Sequence, residues 1–193
     1  MRWGKVEITG GFLLVLAFLY YMDNRLLLAG VAACILHELG HLAAISACGG
    51  AVTKLRLSAV GAEMVLDRKQ MLSYGRELFC TLAGPCVNLT LALIGGWLGA
   101  SVWAGLNLVL GCFQLLPVLP LDGGRAFYLL LCILIGEESA MTISAMLGRV
   151  LSVGLVAAGT AQAVHTRGNF TLLLVGIWIF SAFGKQKGLS TSV

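Results

Sequence analysis

The chain has 193 residues, 59% of them hydrophobic and 11% charged, and a formal net charge of +4. Soluble domains carry about 25% charged residues, so the composition excludes an ordinary soluble protein and points to a polytopic membrane protein. The positive charges are scattered over short loops, where they set topology and offer no patch for nucleic acid.

Apolar runs fall at 8–22, 26–48, 77–100, 102–121, 126–135, 140–164 and 170–184. A spanning helix needs about 20 residues. The runs at 102–121 and 126–135 read as one interrupted segment, which gives about six spans. The expected fold is an all-α polytopic membrane protein forming a single domain over 1–193, with its core motifs within 26–136 and no room for an additional folded soluble domain. The basic start, Met1-Arg2-Trp3-Gly4-Lys5, looks like a signal peptide. Its apolar run ends in Tyr20-Tyr21-Met22-Asp23-Asn24 without a small-residue cleavage pattern, so it reads as a retained first span.

The second run carries His37-Glu38-Leu39-Gly40-His41. On a helix the two imidazoles lie on one face, a turn apart, where both reach a single zinc ion, with Glu38 beside them as general base. Each of these ionisable groups costs about 2.5–3.5 kcal/mol at bilayer depth on insertion scales, which argues that they have a function. Gly49-Gly50 then ends the helix. In 51–66, Val52, Lys54, Arg56 and Ser58 alternate with Thr53, Leu55, Leu57 and Ala59, and Val60-Gly61 resembles a turn, so a small β-hairpin at the membrane surface is expected.

The third run contains Gly84-Pro85, with Asn88 a turn beyond Gly84 on the same face. By itself this reads as a packing motif in which Pro85 opens the helix locally and Asn88 forms hydrogen bonds. The fourth span is broken by Pro117 and Pro120, which calls for extended backbone around 116–121. Irregular backbone at membrane depth is tolerated only in protein or beside a wet cavity. Asp122 follows the break and reads either as a snorkelling surface carboxylate or as the third metal ligand; the histidine pair's need for a partner favours the ligand. Glu137-Glu138 mark a turn, His165 lies near the opposite surface, and the six cysteines are scattered without a CxxC, as small apolar residues.

Arg2, Lys5, Lys54, Arg56, Arg68, Lys69, Arg76, Lys185 and Lys187 fall in one set of loops, against Arg25 and Arg167 in the other. The positive-inside rule puts both termini and the 49–76 loop in the cytoplasm, with the histidines in the nearer half of their span.

Together, His37-Glu38-Leu39-Gly40-His41, Gly84-Pro85 with Asn88, and Pro117 with Pro120-Leu121-Asp122-Gly123 resemble the site-2 protease family of intramembrane zinc metalloproteases, over about 11–136. The resemblance implies one zinc ion per chain on His37, His41 and Asp122, Glu38 as catalytic base, and substrate contacts from Asn88 and from Gln114, Pro117 and Pro120 ahead of Asp122. The substrate would be a transmembrane or membrane-associated protein, cut within or beside its membrane segment, with a homo-oligomer or an inhibitory membrane partner compatible with the pattern. The compact form is similar to the subgroup with the sporulation protease that processes a sigma-factor precursor, which implies a multi-pass protein of a bacterial cell membrane. Gln114 stands where the family usually has Asn, and the resemblance is to the compact form without an inserted PDZ domain, with no expected counterpart of the CBS domain common in that subgroup.

Two other readings use the same residues. In one, Glu77 is the third ligand of a different membrane protease; in the other, His37, His41 and Asp122 form the transit site of a metal transporter. The charge distribution makes a direct prediction. Reporter fusions after Asp67 and Lys187 should read cytoplasmic, and fusions near Asn24 and Arg167 external; an external signal at Asp67 inverts the topology.

Overall fold

The computed structural model describes residues 5–8, 24–58, 61–66, 72–166 and 170–189. The expected first span lies outside the described residues except for Ile8, as do positions 59–60, Asp67, Arg68, Lys69 and Arg167. The elements in order are β1 (Lys5–Ile8), α1 (Asn24–Ala47), β2 (Val52–Ser58), β3 (Gly61–Leu66), α2 (Tyr74–Trp97), α3 (Ser101–Gln114), α4 (Asp122–Ile135), α5 (Glu137–Thr166) and α6 (Thr171–Leu189). They form two compact units, Met1–Gln114 and Leu115–Val193.

In the first unit, α1 stops where the glycines predict. Gly49 takes φ 78. The N–H of Gly50 reaches back to the Ile45 carbonyl at 2.8 Å and that of Gly49 to Ser46 at 3.1 Å, so the last carbonyls of the helix are satisfied. Gly99, at φ 73, closes α2 in the same way, with the Ala100 N–H on the Gly95 carbonyl.

The alternating stretch forms β2, paired antiparallel with β3 from Val52↔Leu66 to Ser58↔Gly61, with a register shift between Val52 and Lys54. Gly61 is thus the first strand residue and not a turn residue. A third strand was not expected: β1 adds in parallel on the other side of β2, with Glu7 opposite Arg56. Residues 5–8 are therefore strand, and Ile8 does not begin a span. Pro85 lies inside α2, which continues from Tyr74 to Trp97 without interruption, so the expected local opening is absent. Only one intrahelical donor is lost there, within a buried stretch of small residues that holds the helix together.

The second unit begins with the proline segment. The backbone at 116–121 is not extended as expected but folded into tight turns: the Val118 N–H donates to the Leu116 carbonyl at 2.7 Å, and the Leu121 N–H to the Val118 carbonyl at 2.9 Å. These turns bring the chain back onto the start of α4. A Cβ on Gly123 would collide with the Leu115 and Leu116 carbonyls, and one on Gly124 with the backbone of Val118 and Leu119. Leu121 is extended at the N-cap and Asp122 opens the helix, where a carboxylate meets the positive end of the helix dipole. Glu137 and Glu138 occupy the same favourable place in α5 and do not form a turn; Gly136, at φ 84, makes the bend. Along α5, Ala140, Ser144, Gly148, Ser152, Gly159 and Ala163 are buried. Gly159 faces the backbone at Leu172 and Leu173 and Gly176 that at Leu155 and Val156, so α5 and α6 approach to backbone distance.

Among the described residues three helices are long and apolar enough to cross a membrane: Leu28–Ala47, Tyr74–Trp97 and Glu137–Thr166. Ser101–Gln114 and Leu172–Ser181 are apolar but shorter. The segment read as one broken span consists of two helices of 14 residues each, about 21 Å apiece and shorter than a bilayer core of about 30 Å. Large apolar side chains point outward on all of these helices, Leu93 at 77% exposure and Trp97 at 87% among them. A surface of this kind matches an apolar solvent.

Replacing Gly123 or Gly124 with Ala should lower the thermal midpoint in detergent, consistent with an overpacking cost of about 1–3 kcal/mol. Gly96→Ala, where a Cβ meets open space, should not lower it. Equal midpoints for all three variants would refute the close contact.

Candidate metal centre

The His37–His41 spacing does what helical geometry requires: both side chains leave α1 on the face that packs on α2. His37 is 2% exposed and His41 9%. Their Nε2 atoms lie 3.1 Å apart, and the rings meet edge to face with centroids 4.8 Å apart. Two nitrogens at about 2.0–2.1 Å from a tetrahedral ion would be about 3.3 Å from each other. The pair is therefore nearly spaced for a shared metal.

The opposite ring nitrogens are held from α2. His41 Nδ1 lies 2.8 Å from the Cys80 carbonyl, an acceptor only, so Nδ1 carries the hydrogen and Nε2 keeps its lone pair. His37 Nδ1 lies 2.5 Å from Asn88 Oδ1 and donates to it in the same way. Both rings thus turn Nε2 towards the same point, and in the neutral ring that nitrogen keeps its lone pair. Such outer partners orient metal-binding histidines, and the donor set fits zinc.

Two glycines allow this arrangement. A Cβ on Gly84 would occupy the space of the His41 ring, and one on Gly40 would come within 3.0 Å of the Ala83 carbonyl. Glu38 follows His37 on the helix and is half-buried.

Asn88, for which the resemblance implies a substrate contact, is held by groups of the first unit. It is 0% exposed, and besides accepting from His37 it donates through Nδ2 to Asn107 Oδ1 at 2.8 Å and to the Ala33 carbonyl at 3.3 Å. Its carboxamide is fully engaged within the protein. Asn107, which sequence reasoning passed over, is also 0% exposed and donates to the Trp103 carbonyl at 3.0 Å. The available signal was an amide in the middle of an apolar helix. Gln114 ends α3, and its Oε1 is buried with no hydrogen-bond partner among the described residues.

The structure thus joins His37, His41 and Asn88 in the first unit. Asp122, Pro117 and Pro120 belong to the second: Asp122 half-buried at the head of α4, Pro117 half-buried and Pro120 exposed in the turns before it. Glu77 lies in the first turn of α2, one turn before Cys80.

No family model matches the chain. A zinc metalloprotease of Methanocaldococcus jannaschii is 27% identical over 193 residues, covering 91% of this chain and 54% of that protein. Rip3 of Mycobacterium tuberculosis is 31% identical over 199 residues, covering 93% of this chain and 49% of its own length. The chain spans about half the length of these curated relatives. Among solved structures, a site-2 protease from Methanocaldococcus jannaschii superposes with a TM-score of 0.71 at 24% identity, covering 96% of this chain and 94% of that one. The chain has that fold.

Gly84→Ala should drive the His41 ring from its place and weaken zinc binding about tenfold or more, as read by competition with a chelator. Gly30→Ala, where a Cβ meets nothing within 4 Å, should leave it unchanged. Undiminished zinc affinity in Gly84→Ala would show that the ring position is not what the metal needs.

Proposed function

We propose that this chain, a relative of the site-2 protease family in sequence and fold, is a zinc-dependent intramembrane endopeptidase. The observation that carries the reading is the pair of imidazoles, each committed through Nδ1 to an acceptor on α2, with their Nε2 atoms 3.1 Å apart. Two imidazoles whose Nε2 atoms lie 3.1 Å apart share either a proton or a metal ion between them, and the orientation of both rings from α2 suits the metal. That Glu38 follows the first of them favours hydrolysis over metal transit.

His37, His41 and Asp122 hold the ion in this reading, one per chain. Bound zinc supplies Lewis acidity and lowers the pKa of a water molecule towards 7. Glu38 accepts the proton of the attacking water and returns it to the leaving amine, so that the peptide bond breaks without release of an amide anion. Gln114 offers its buried, unpartnered Oε1 to a donor, and a substrate backbone N–H has the right chemistry. Pro117 and Pro120 shape the turns ahead of Asp122 and contact substrate there.

The substrate is a transmembrane or membrane-associated protein, and cleavage falls within or next to its membrane segment. The helices of spanning length and their apolar outer faces support a multi-pass membrane location. The loop charges support cytoplasmic termini, with the site nearer that side, and the family resemblance supports a bacterial cell and a role in processing a sigma factor or its membrane inhibitor.

Co-expression with candidate single-pass proteins tests the proposal. Glu38→Gln should retain zinc and lose cleavage by about 10²–10⁴-fold, the usual worth of a general acid–base group. Asp122→Ala should lose both zinc and cleavage. If Asp122→Ala kept zinc and activity while Glu77→Ala lost them, the third ligand would be Glu77.

A further inference from the structure

We infer that Asn107 is a positioning residue that acts through Asn88 to fix which nitrogen of His37 carries the hydrogen and which presents a lone pair to a metal. The inference rests on the zinc reading above and deepens it.

A carboxamide can present either its oxygen or its NH2 to a neighbour, and the two orientations have nearly the same shape. If Asn88 turned its Nδ2 towards His37, the ring would answer with an Nδ1 lone pair, and its hydrogen would sit on Nε2, facing His41. The ligand pair would then be blocked on one side. What prevents the flip is the set of acceptors around Asn88. The Ala33 carbonyl lies 3.3 Å from Nδ2 and Asn107 Oδ1 2.8 Å from it. The carbonyl is the longer contact, so Asn107 supplies the stronger restraint.

Asn107 is itself an amide and could flip, but its orientation is set by the backbone. Its Nδ2 donates to the Trp103 carbonyl at 3.0 Å, which can only accept, so its oxygen must face Asn88. Polarity is transmitted in one direction along this chain, from the Trp103 carbonyl through Asn107 and Asn88 to His37 Nδ1. Asn88 and Asn107 are 0% exposed, so neither reaches bulk water to replace a lost partner. His41 is fixed independently, by the Cys80 carbonyl.

That independence gives the test. The chain has three histidines, and the third, His165, is in the last turn of α5, so selective ¹⁵N-histidine labelling of the 193-residue chain in detergent gives a simple spectrum. With the imidazoles neutral and zinc removed, the wild type should show both His37 and His41 protonated at Nδ1. Asn107→Leu, similar in bulk but without an acceptor, should lose the Nδ1–H form at His37 and keep it at His41, and its zinc affinity by chelator competition should fall about 10–100-fold. Asn107→Asp should retain both properties, since an oxygen faces Asn88 whether or not the carboxyl is protonated. The inference is overturned if Asn107→Leu keeps the wild-type tautomer and zinc affinity, or disturbs His37 and His41 alike as a packing defect would. Loss of the His37 tautomer in Asn107→Asp overturns it too, and that variant decides the matter if the leucine variant does not fold. A wild type that binds no zinc would sink the functional reading instead, a different outcome from any of these.

Discussion

The arrangement depends on how closely α1 and α2 approach. Gly40 lies against the Ala83 carbonyl, and Gly84 leaves the space that the His41 ring fills. Only at that separation can a backbone carbonyl of α2 reach His41 and a side chain of α2 reach His37. A proline in α2 helps in an indirect way. Its bulk is buried in the same stretch as Gly84 and Asn88, where the helix is held by neighbours and not by its own ladder alone.

The distribution of residue types follows from the solvent this surface suits. Many leucines, valines and Trp97 point outward, while the buried set is rich in alanine, glycine, serine, histidine and asparagine beside a few aliphatics such as Val118, Leu129 and Ile179. With apolar chains outside there is little hydrophobic gain in bringing helices together. Close packing of small residues and hydrogen bonds between helices take its place. The Gly159 and Gly176 contacts in the second unit are the plainest case, each glycine lying against the backbone of the opposite helix. The same rule makes buried amides affordable in α2 and α3, provided that each polar atom finds a partner.

The sequence was most legible where a local rule applies. The i,i+4 spacing placed His37 and His41 on one face, the glycines at 49 and 50 stopped α1, and period-two alternation marked β2. It was least legible where the partner is distant in the chain. Nothing local to Lys5–Ile8 announces a strand, because its partner is some fifty residues on in β2. The double proline correctly excluded a helix, but ruling out helix does not select extended chain over turns. The choice was made by Gly123 and Gly124, which let the backbone of 115–119 fold back onto α4. Asn107 was missed for a related reason: motif reading searches for groups that ionise or ligate, and an amide that only orients another amide does neither.

Asn88 and Gln114 show how similar side chains acquire opposite uses. Both end in a carboxamide and both lie within an apolar helix or at its end. Asn88 has an acceptor or donor for each of its atoms, supplied by three different places in the first unit. Leaving any one of them unmet in the absence of water costs about 1–3 kcal/mol, so its position is strongly determined and it can serve as a support. Gln114 has a buried oxygen with no partner, at the point where α3 ends. An orphan acceptor of this kind carries a similar cost, which a donor would offset. A fully satisfied amide is fixed by its partners, whereas the orphan oxygen at the helix end can still accept an N–H, which is what the proposed substrate contact of Gln114 rests on. The family's usual Asn at this place has one methylene less, so Gln114 keeps the donor–acceptor chemistry and changes only its reach.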